Sequence, residues 1–485
     1  KAEFVAEGLA ASPGAATGRI VFTSERAAEM AEEGEKVLLV RRETSPEDIE
    51  GMIAAEGFVT QLGGMTSHAA VVARGMGKSC VAGASALSIK EAEKTLAIAG
   101  KTYKEGEFFS IDGSTGKVYA GKIDTKMPEF SEEFETILEW AKEIKRLGVK
   151  ANADNEKDAS TAVKFGAEGI GLARTEHMFF EGDRITNVRE MIIAENKEER
   201  EKALEKLLPH QLKDFKDLFR VMDGKTVTIR LLDPPLHEFL PQKAEVPAAA
   251  KKLGVSEERL ERAIDSLHEF NPMLGHRGCR LAVSYPEIAI MQAKAIIQAA
   301  LEVAKEDIEV KPEIMIPLIS TVEEYTYLRD YIQKTAEELI KQSGEKLDYL
   351  IGTMIETPRA ALIADEVAKE AEFFSYGTND LTQMTYGFSR DDAAKFLAEY
   401  ERMGILPHDP FISVDQRGVG ELVEIATKRG KGANEKLIVG ICGEHGGDPA
   451  SVKFFHKAEL DYVSCSPFRI PLAIVAAAQA VIENE

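Results

Sequence analysis

From Val149 to the C-terminal residue, short apolar runs alternate with helix-length amphipathic stretches, and this alternation narrows the possible folds more than any other feature. Nine runs read as strands: Val149–Ala153, Gly169–Ala173, Val227–Leu232, Arg277–Val283, Glu313–Leu318, Leu350–Ile355, Phe373–Gly377, Leu437–Ile441 and Tyr462–Cys465. Parallel strands need crossover helices, so repeated β/α alternation predicts an α/β fold, a (β/α)8 TIM barrel with insertions. Nine candidates for eight places leave one spare, and the arginine-rich run near Arg277 suits a buried strand least. Thr186–Asp223 is too long for a plain βα unit and is expected to be helical elaboration.

Residues 1–122 follow another pattern. Gly18–Phe22, Lys36–Val40, Gly57–Thr60 and Cys80–Ala82 are brief apolar runs bounded by glycine or polar turns. Phe108–Ile111 and Lys117–Tyr119 flank Asp112-Gly113-Ser114-Thr115-Gly116, a hairpin signal. Ser45-Pro46-Glu47-Asp48 reads as a helix start, with Ser45 as cap and Pro46 at the first helical position. Together these predict a compact β/β/α domain. Residues 123–148 open on a polar stretch, and then Phe134, Ile137, Leu138, Ala141 and Ile144 recur at helical spacing. We read a linker ending in a helix; roughly 25 residues would span ~40 Å if mostly helical. That reach suits a swivelling domain, and the barrel then occupies residues 149–485.

The formal charge of −22 excludes nucleic acid and anionic membrane as natural partners. It also requires any phosphate site to concentrate arginines locally. Cys80, Cys279, Cys442 and Cys465 show no paired spacing, which fits a reducing, cytoplasmic compartment better than a disulfide frame. No apolar stretch is long enough to span a bilayer and no signal peptide opens the chain. The first residue is Lys1 rather than Met, as in a processed or excised piece.

Within the first domain the stretch Leu62-Gly63-Gly64-Met65-Thr66-Ser67-His68-Ala69-Ala70-Val71-Val72-Ala73-Arg74 carries chemistry. The glycines permit a tight turn, and Thr66 or Ser67 can cap the helix that follows. His68 would then sit in the first helical turn, where backbone N–H groups and the dipole favour an anion and disfavour an imidazolium. A neutral imidazole beside anion donors describes a phosphohistidine carrier.

In the barrel, polar residues recur at strand ends, where such folds place their active sites. Arg174, Arg230, Glu356, Asp380 and Cys442 close or follow strand candidates, Gly377, Thr378 and Asn379 lead into Asp380, and Arg277 and Arg280 add guanidiniums. Arginine forks bind carboxylate and phosphate, and Glu356 and Asp380 offer hard oxygen ligands for Mg²⁺. Asn379 can hydrogen-bond a substrate. A thiol of ordinary pKa, ~8.5, is protonated near pH 7 and can donate to an enolate. Making or breaking phosphoenolpyruvate requires such a set.

Gly63 to Lys78 resembles the phosphohistidine signature of the pyruvate phosphate dikinase family, including its Met-Thr-Ser before the histidine. Gly-Leu-Ala-Arg-Thr-Glu-His-Met-Phe-Phe, Leu-His-Glu-Phe-Leu-Pro, Gly-Thr-Asn-Asp-Leu-Thr-Gln-Met-Thr, Gly-Ile-Cys-Gly-Glu-His-Gly-Gly-Asp-Pro and Tyr-Val-Ser-Cys-Ser-Pro-Phe-Arg are similar to its barrel motifs. The resemblance covers nearly the whole chain. It implies His68 as the phosphorylated histidine and Arg174, Arg230 and Arg277 as substrate-binding arginines. Glu356 and Asp380 become the Mg²⁺ ligands, Gly377, Thr378 and Asn379 the substrate loop, and Cys442 the acid that protonates the enolate of pyruvate. Thr66 falls where some members are regulated by phosphorylation. The resemblance also implies a homodimer formed through the barrel, to which the alanine-rich segment Pro471–Ile482 could contribute.

That family places a large ATP-grasp domain ahead of the phosphohistidine domain, and this chain begins too late to hold it. A fragment of this kind is expected to join phosphoenolpyruvate to His68 chemistry without turning over ATP. Gly75-Met-Gly-Lys-Ser79 is not a Walker motif, because its first glycine would fall on Val72. Gly169-Ile-Gly171 puts Arg174 where a dinucleotide fingerprint needs a small residue, and Cys442 with His445 makes only half a zinc site. Three rivals are weaker. The first enzyme of the sugar phosphotransferase system needs a helical insert in the fifty or so residues between Gly14 and His68, which strands mostly fill. Phosphoenolpyruvate synthase carries Arg-Thr-Cys-His in place of Met-Thr-Ser-His. A non-catalytic swivelling scaffold would not need the intact Arg, Glu, Asp and Cys set.

Overall fold

A computed structural model describes residues 2–45, 48–65, 67–124, 132–180 and 182–484. Two compact units emerge: Lys1–Ile137 with Phe388–Phe411, and Leu138–Gly387 with Ile412–Glu485. Among the described residues no helix is long and apolar enough to cross a membrane.

Among its described residues the first unit carries eleven strands: β1 (Glu3–Glu7), β2 (Leu9–Ser12), β3 (Ala15–Val21), β4 (Val37–Arg41), β5 (Gly57–Thr60), β6 (Ser79–Ala82), β7 (Ser88–Lys90), β8 (Thr95–Ile98), β9 (Lys101–Lys104), β10 (Phe108–Asp112) and β11 (Lys117–Ala120). Eight form one sheet in the order β1-β11-β10-β3-β4-β5-β6-β2, and β7-β8-β9 form a second. The β3-β4-β5-β6 core is parallel. Its strands are short continuous apolar runs because both faces are covered. Leu38 and Val40 enter one buried cluster with Ile20 and Val59, while Val37 and Leu39 enter another with Phe58, Ala69 and Ala73. The period-2 alternation of a strand thus feeds two cores, the second of which receives the helix His68–Met76.

The expected hairpin is present, with β10 and β11 antiparallel and Asp112 opposite Lys117. The helix start expected at Ser45 differs. The helix spans Ile49–Ala54, and the Ser45 backbone N–H donates to the Asp48 carboxylate at 2.9 Å instead of Ser45 capping a helix. Pro46 and Glu47 lie outside the described residues, as do 125–131 of the expected linker. The helix Glu132–Ile144 follows; Leu138 and Ala141 are buried, but Ile137 and Ile144 of the expected stripe are exposed.

In the second unit β12 (Gly148–Asn152), β13 (Gly169–Arg174), β14 (Thr226–Arg230), β15 (Lys311–Ile316), β16 (Leu350–Ile355), β17 (Phe373–Tyr376), β18 (Ile438–Ile441) and β19 (Tyr462–Cys465) close a parallel barrel. Eight of the nine strand candidates are these strands. The ninth is not a strand: Gly278 turns the chain at φ +56°, and Cys279–Ser284 is a helix burying Cys279 and Leu281. The long insertion is helical, Arg184–Ile192 and Lys197–Val221, packed into a cluster with Phe239 and Ile288. Leu172, Met315, Met354, Phe373 and Cys442, each from a different strand or strand end, form one buried cluster. Below Cys442 the register sets Ser375 beside Gly440 and Gly440 beside Tyr462. An added Cβ at Gly440 would lie 2.1 Å from the Tyr462 Cζ, so the absence of a side chain there is what lets the phenol ring cross β18.

Candidate active site

In the first unit, Gly63 takes φ +103° and turns the chain out of β5. Ser67 then caps the helix, its Oγ accepting from the Ala70 N–H at 3.4 Å. Thr66, the other cap candidate and the expected regulatory position, lies outside the described residues. His68 is the first helical residue, as expected. Its Nδ1 lies 3.1 Å from the Oγ1 of buried Thr44. Arg74 braces the loop from behind, donating to the Ala11 carbonyl at 2.9 Å and the Met65 carbonyl at 2.7 Å.

Burial lowers the His68 pKa to about 4; Asp391, of the same unit, opposes this and Arg390 reinforces it. The ring is therefore neutral at pH 7, with burial as the main cause. If Nδ1 holds the proton and donates it to Thr44, Nε2 keeps a free lone pair.

In the second unit the expected polar residues meet at the C-terminal end of the barrel. Arg230, the last residue of β14, is ion-paired with Glu176 and lies 3.5 Å from Asp233. Arg277, in the loop before Cys279, pairs with Asp380 and reaches Asp233 at 4.0 Å. Burial works against both guanidiniums, but the surrounding carboxylates outweigh it and raise both pKa values. Arg174 ends β13, its backbone N–H donating to Asp154 Oδ1 at 2.6 Å and its guanidinium 3.7 Å from Asp154 Oδ2. Arg280 stands apart from this group, binding the Gly275 carbonyl at 2.9 Å.

Glu356 follows β16 and is 2% exposed, its Oε1 accepting from the Leu318 N–H at 2.7 Å. Burial, then Asp380 and Asp233, push its pKa well above the usual carboxylate range. Asp380 is half-buried; desolvation pushes its carboxyl up, yet Arg277 and a hydrogen bond from Glu356 hold it below that range. The hydrogen bond couples the two carboxyls, drawing Glu356 toward its protonated form and Asp380 toward its ionised one. Gly377 makes the approach possible, since a Cβ there would fall 2.6 Å from Glu356 Oε2. Thr378 is locked by His445, whose Nδ1 sits 2.6 Å from its Oγ1 with both residues fully buried. The Asn379 Oδ1 is buried with no hydrogen-bond partner among the described residues.

Cys442 is 2% exposed, and Asn152 Nδ2 donates to its carbonyl at 3.0 Å. Burial raises its thiol pKa against the pull of Ser375, Arg230 and Arg174, so the thiol is protonated at neutral pH. Asp154, Glu176 and Asp233, which orient the arginines, escaped the sequence reading. Each lies one to three residues past a strand end, so the rule that found the arginines could have found them. His177, whose Nδ1 is 2.7 Å from Asp154 Oδ2, has the same signal. Thr44 is 24 residues from His68 and has none.

Comparison with known proteins identifies the family of both parts of the chain. Residues 33–116 match the family described as PEP-utilising enzyme, mobile domain. Residues 128–482 match PEP-utilising enzyme, PEP-binding domain. Pyruvate, phosphate dikinase of Clostridium symbiosum is 55% identical over 485 residues, 100% of this chain and 56% of the relative. The protein of that name from Rhizobium meliloti (strain 1021) is 56% identical, covering 99% of this chain and 54% of its own length. The chloroplastic pyruvate, phosphate dikinase 1 of Arabidopsis thaliana is 56% identical over 99% of this chain and 50% of itself. The chain thus spans about half the length of the curated relatives it matches.

Proposed function

The chain belongs to the PEP-utilising enzyme family, and from that premise we propose that it passes a phosphoryl group between phosphoenolpyruvate and His68. This is one half of a pyruvate, phosphate dikinase cycle, in which ATP, phosphate and pyruvate interconvert with AMP, diphosphate and phosphoenolpyruvate. The nucleotide half belongs to a further, nucleotide-binding domain. In this division of labour residues 1–122 carry the phosphoryl group, 123–148 allow the carrier to swivel, and 149–485 bind phosphoenolpyruvate or pyruvate.

The observation that carries the proposal is the cluster in which Arg230 and Arg277 flank the coupled Glu356–Asp380 pair. A small, doubly charged acid suits that cluster. Arg174, Arg230 and Arg277 take its carboxylate and phosphate oxygens, and the side-chain NH2 of Asn379 donates to another. Gly377 and Thr378 shape the substrate loop. Glu356 and Asp380 would hold Mg²⁺, since two adjacent carboxylates repel one another unless a proton or cation intervenes. When bound, the ion supplies positive charge to the enolate oxygen.

In the transfer, neutral His68 attacks phosphorus through Nε2 while Thr44 steadies Nδ1. The P–O bond to the enol breaks, C2–O closes to a ketone, and C3 takes the Cys442 proton, leaving pyruvate and a thiolate. In the reverse direction the thiolate removes a methyl proton from pyruvate. Thr66 is the proposed regulatory position. A homodimer is proposed through the barrel, where Leu472 and Ile482 of the final helix Ile470–Asn484 are exposed. The four free cysteines suit a reducing, cytoplasmic setting.

The test is incubation with phosphate-labelled phosphoenolpyruvate and Mg²⁺. Label retained on the chain and absent from His68→Ala supports the reading, together with one pyruvate per label. An unlabelled chain would leave the scaffold alternative.

A further inference from the structure

Arg230 and Arg277 are each paired directly with a carboxylate, Glu176 and Asp380. Arg174 meets Asp154 differently. Its guanidinium lies 3.7 Å from Asp154 Oδ2, beyond hydrogen-bond distance, although the two side chains are only 15% and 12% exposed and water screens their attraction little. A third side chain stands in the way: His177 Nδ1 lies 2.7 Å from the same Oδ2. Burial pushes the Asp154 carboxyl up, but His177 first and then Arg174 hold it below the usual carboxylate range. The ionised carboxylate can only accept, so the imidazole donates through Nδ1–H. Asp154 Oδ1 is committed as well, to the Arg174 backbone N–H at 2.6 Å. One oxygen of Asp154 thus holds the main chain of Arg174, while His177 occupies the other. The turn has further anchors, since Thr175 Oγ1 donates to the Arg230 carbonyl at 3.0 Å and Glu176 pairs with Arg230. These hold the backbone without the imidazole.

We propose that His177 is a positioning residue that keeps Arg174 available to substrate: by occupying Asp154 Oδ2 it prevents the guanidinium from closing a direct ion pair with that carboxylate. The inference rests on the reading of Arg174 as a substrate-binding arginine. At 3.7 Å Asp154 still balances the guanidinium charge, yet no hydrogen bond to Oδ2 has to break before the arginine turns to an anionic oxygen of phosphoenolpyruvate. With Oδ2 vacated, the guanidinium would move in and donate to it. A charge-assisted bond of that kind is shorter and about twice as strong as a neutral one, and substrate would have to displace it. Phosphoenolpyruvate binding would weaken about tenfold. The penalty falls on binding and leaves the proton and phosphoryl transfers themselves alone. In this role the imidazole touches no reacting atom and keeps its proton throughout.

The test uses the whole chain with Mg²⁺, following single-turnover pyruvate formation against phosphoenolpyruvate concentration. His177→Leu removes the donor and should raise the half-saturating concentration about tenfold, with the maximal rate changed less than about threefold. His177→Asn sets an amide N–H donor near the place of Nδ1 and should restore most of the binding. Adding Asp154→Asn to His177→Leu replaces the capturing carboxylate with a neutral amide that can still accept the Arg174 backbone N–H, so the double variant should bind better than His177→Leu alone. An unmoved half-saturation in His177→Leu, an equal loss in His177→Asn, or a double variant worse than the single would mean a merely structural histidine and would overturn the proposal. Arg174→Met separates the underlying reading: unmoved half-saturation there would remove Arg174 from substrate binding. The crystal structure of His177→Leu then still decides the role of the ring. A guanidinium drawn into hydrogen-bond distance of Asp154 Oδ2 supports it, and one that stays at 3.7 Å overturns it.

Discussion

Replacing Arg277 with methionine tests the electrostatic design most directly. The guanidinium lies 4.0 Å from Asp233 Oδ1 and is paired with Asp380, with an 11% exposed side chain. At an effective dielectric constant near 20, a charge pair at this distance is worth about 4 kcal/mol, and stripping one partner from a buried pair costs about 3–5 kcal/mol. Methionine keeps the length of the stem but removes the charge. Asp380, held below the usual carboxylate range by Arg277, would be released upward and the pair would hold its proton more tightly. A depressed carboxylate contributes stability above its unfolded pKa and loses it as pH falls through the folded value. The variant's deficit should therefore be about 3–5 kcal/mol near pH 7.5 and shrink only below the ordinary carboxylate value of 3.8, as at about pH 3. The assay is urea unfolding of both proteins at the two pH values, with KM for phosphoenolpyruvate alongside. Losing a charge-assisted contact to substrate should raise KM roughly 10- to 100-fold. A deficit that does not change with pH, or an unmoved KM, would refute the reasoning.

Other substitutions examine separate parts of the site. Cys442→Ala should slow single-turnover pyruvate formation by about 10²–10⁴ while the urea midpoint barely moves; near-normal turnover would exclude the thiol. Thr44→Val removes the Nδ1 partner at nearly constant volume and should slow labelling of His68 about tenfold, read as the rate of label uptake. His68 is held neutral with a pKa of about 4 against an ordinary value of 6.5, so the unfolded chain binds the extra proton first as pH falls. Stability should be intact above pH 6.5 and fall between there and about pH 4; His68→Asn should flatten that part of the urea-midpoint profile. Gly377→Ala would set a Cβ 2.6 Å from Glu356 Oε2 and 2.8 Å from Met354 Sδ. It should cost about 1–3 kcal/mol and weaken Mg²⁺ binding in a calorimetric titration.

Much of the barrel was legible because its signal is local. An apolar run of four to six residues bounded by turns is a property of neighbours in sequence, and eight such runs became β12 to β19. The error at Arg277–Val283 has a local cause too: Cys279, Leu281, Ala282 and Val283 are apolar enough for a strand, but Gly278 at φ +56° starts a helix. The Ser45 helix start failed because Ser45 uses its backbone N–H on Asp48. Strand-end chemistry was readable for Arg174, Arg230, Glu356 and Cys442, since the fold fixes which end of each strand is functional. Their buried partners were passed over because Glu176 or Asp233 alone looks like any surface acid.

The sequence by itself determined the elements, their alternation, and the residues that could hold a phosphoryl group or a proton, all of which depend on order along a few adjacent residues. Which of those groups are charged was decided only in three dimensions. Closure of the barrel sets Arg277 against Asp380, 103 residues away, and Ser375 level with Tyr462. Burial then holds His68 neutral and pushes Glu356 toward its protonated form, while Arg277 keeps Asp380 ionised against the pull of burial. Desolvation and Coulomb attraction act through space, so no reading along the chain contains them.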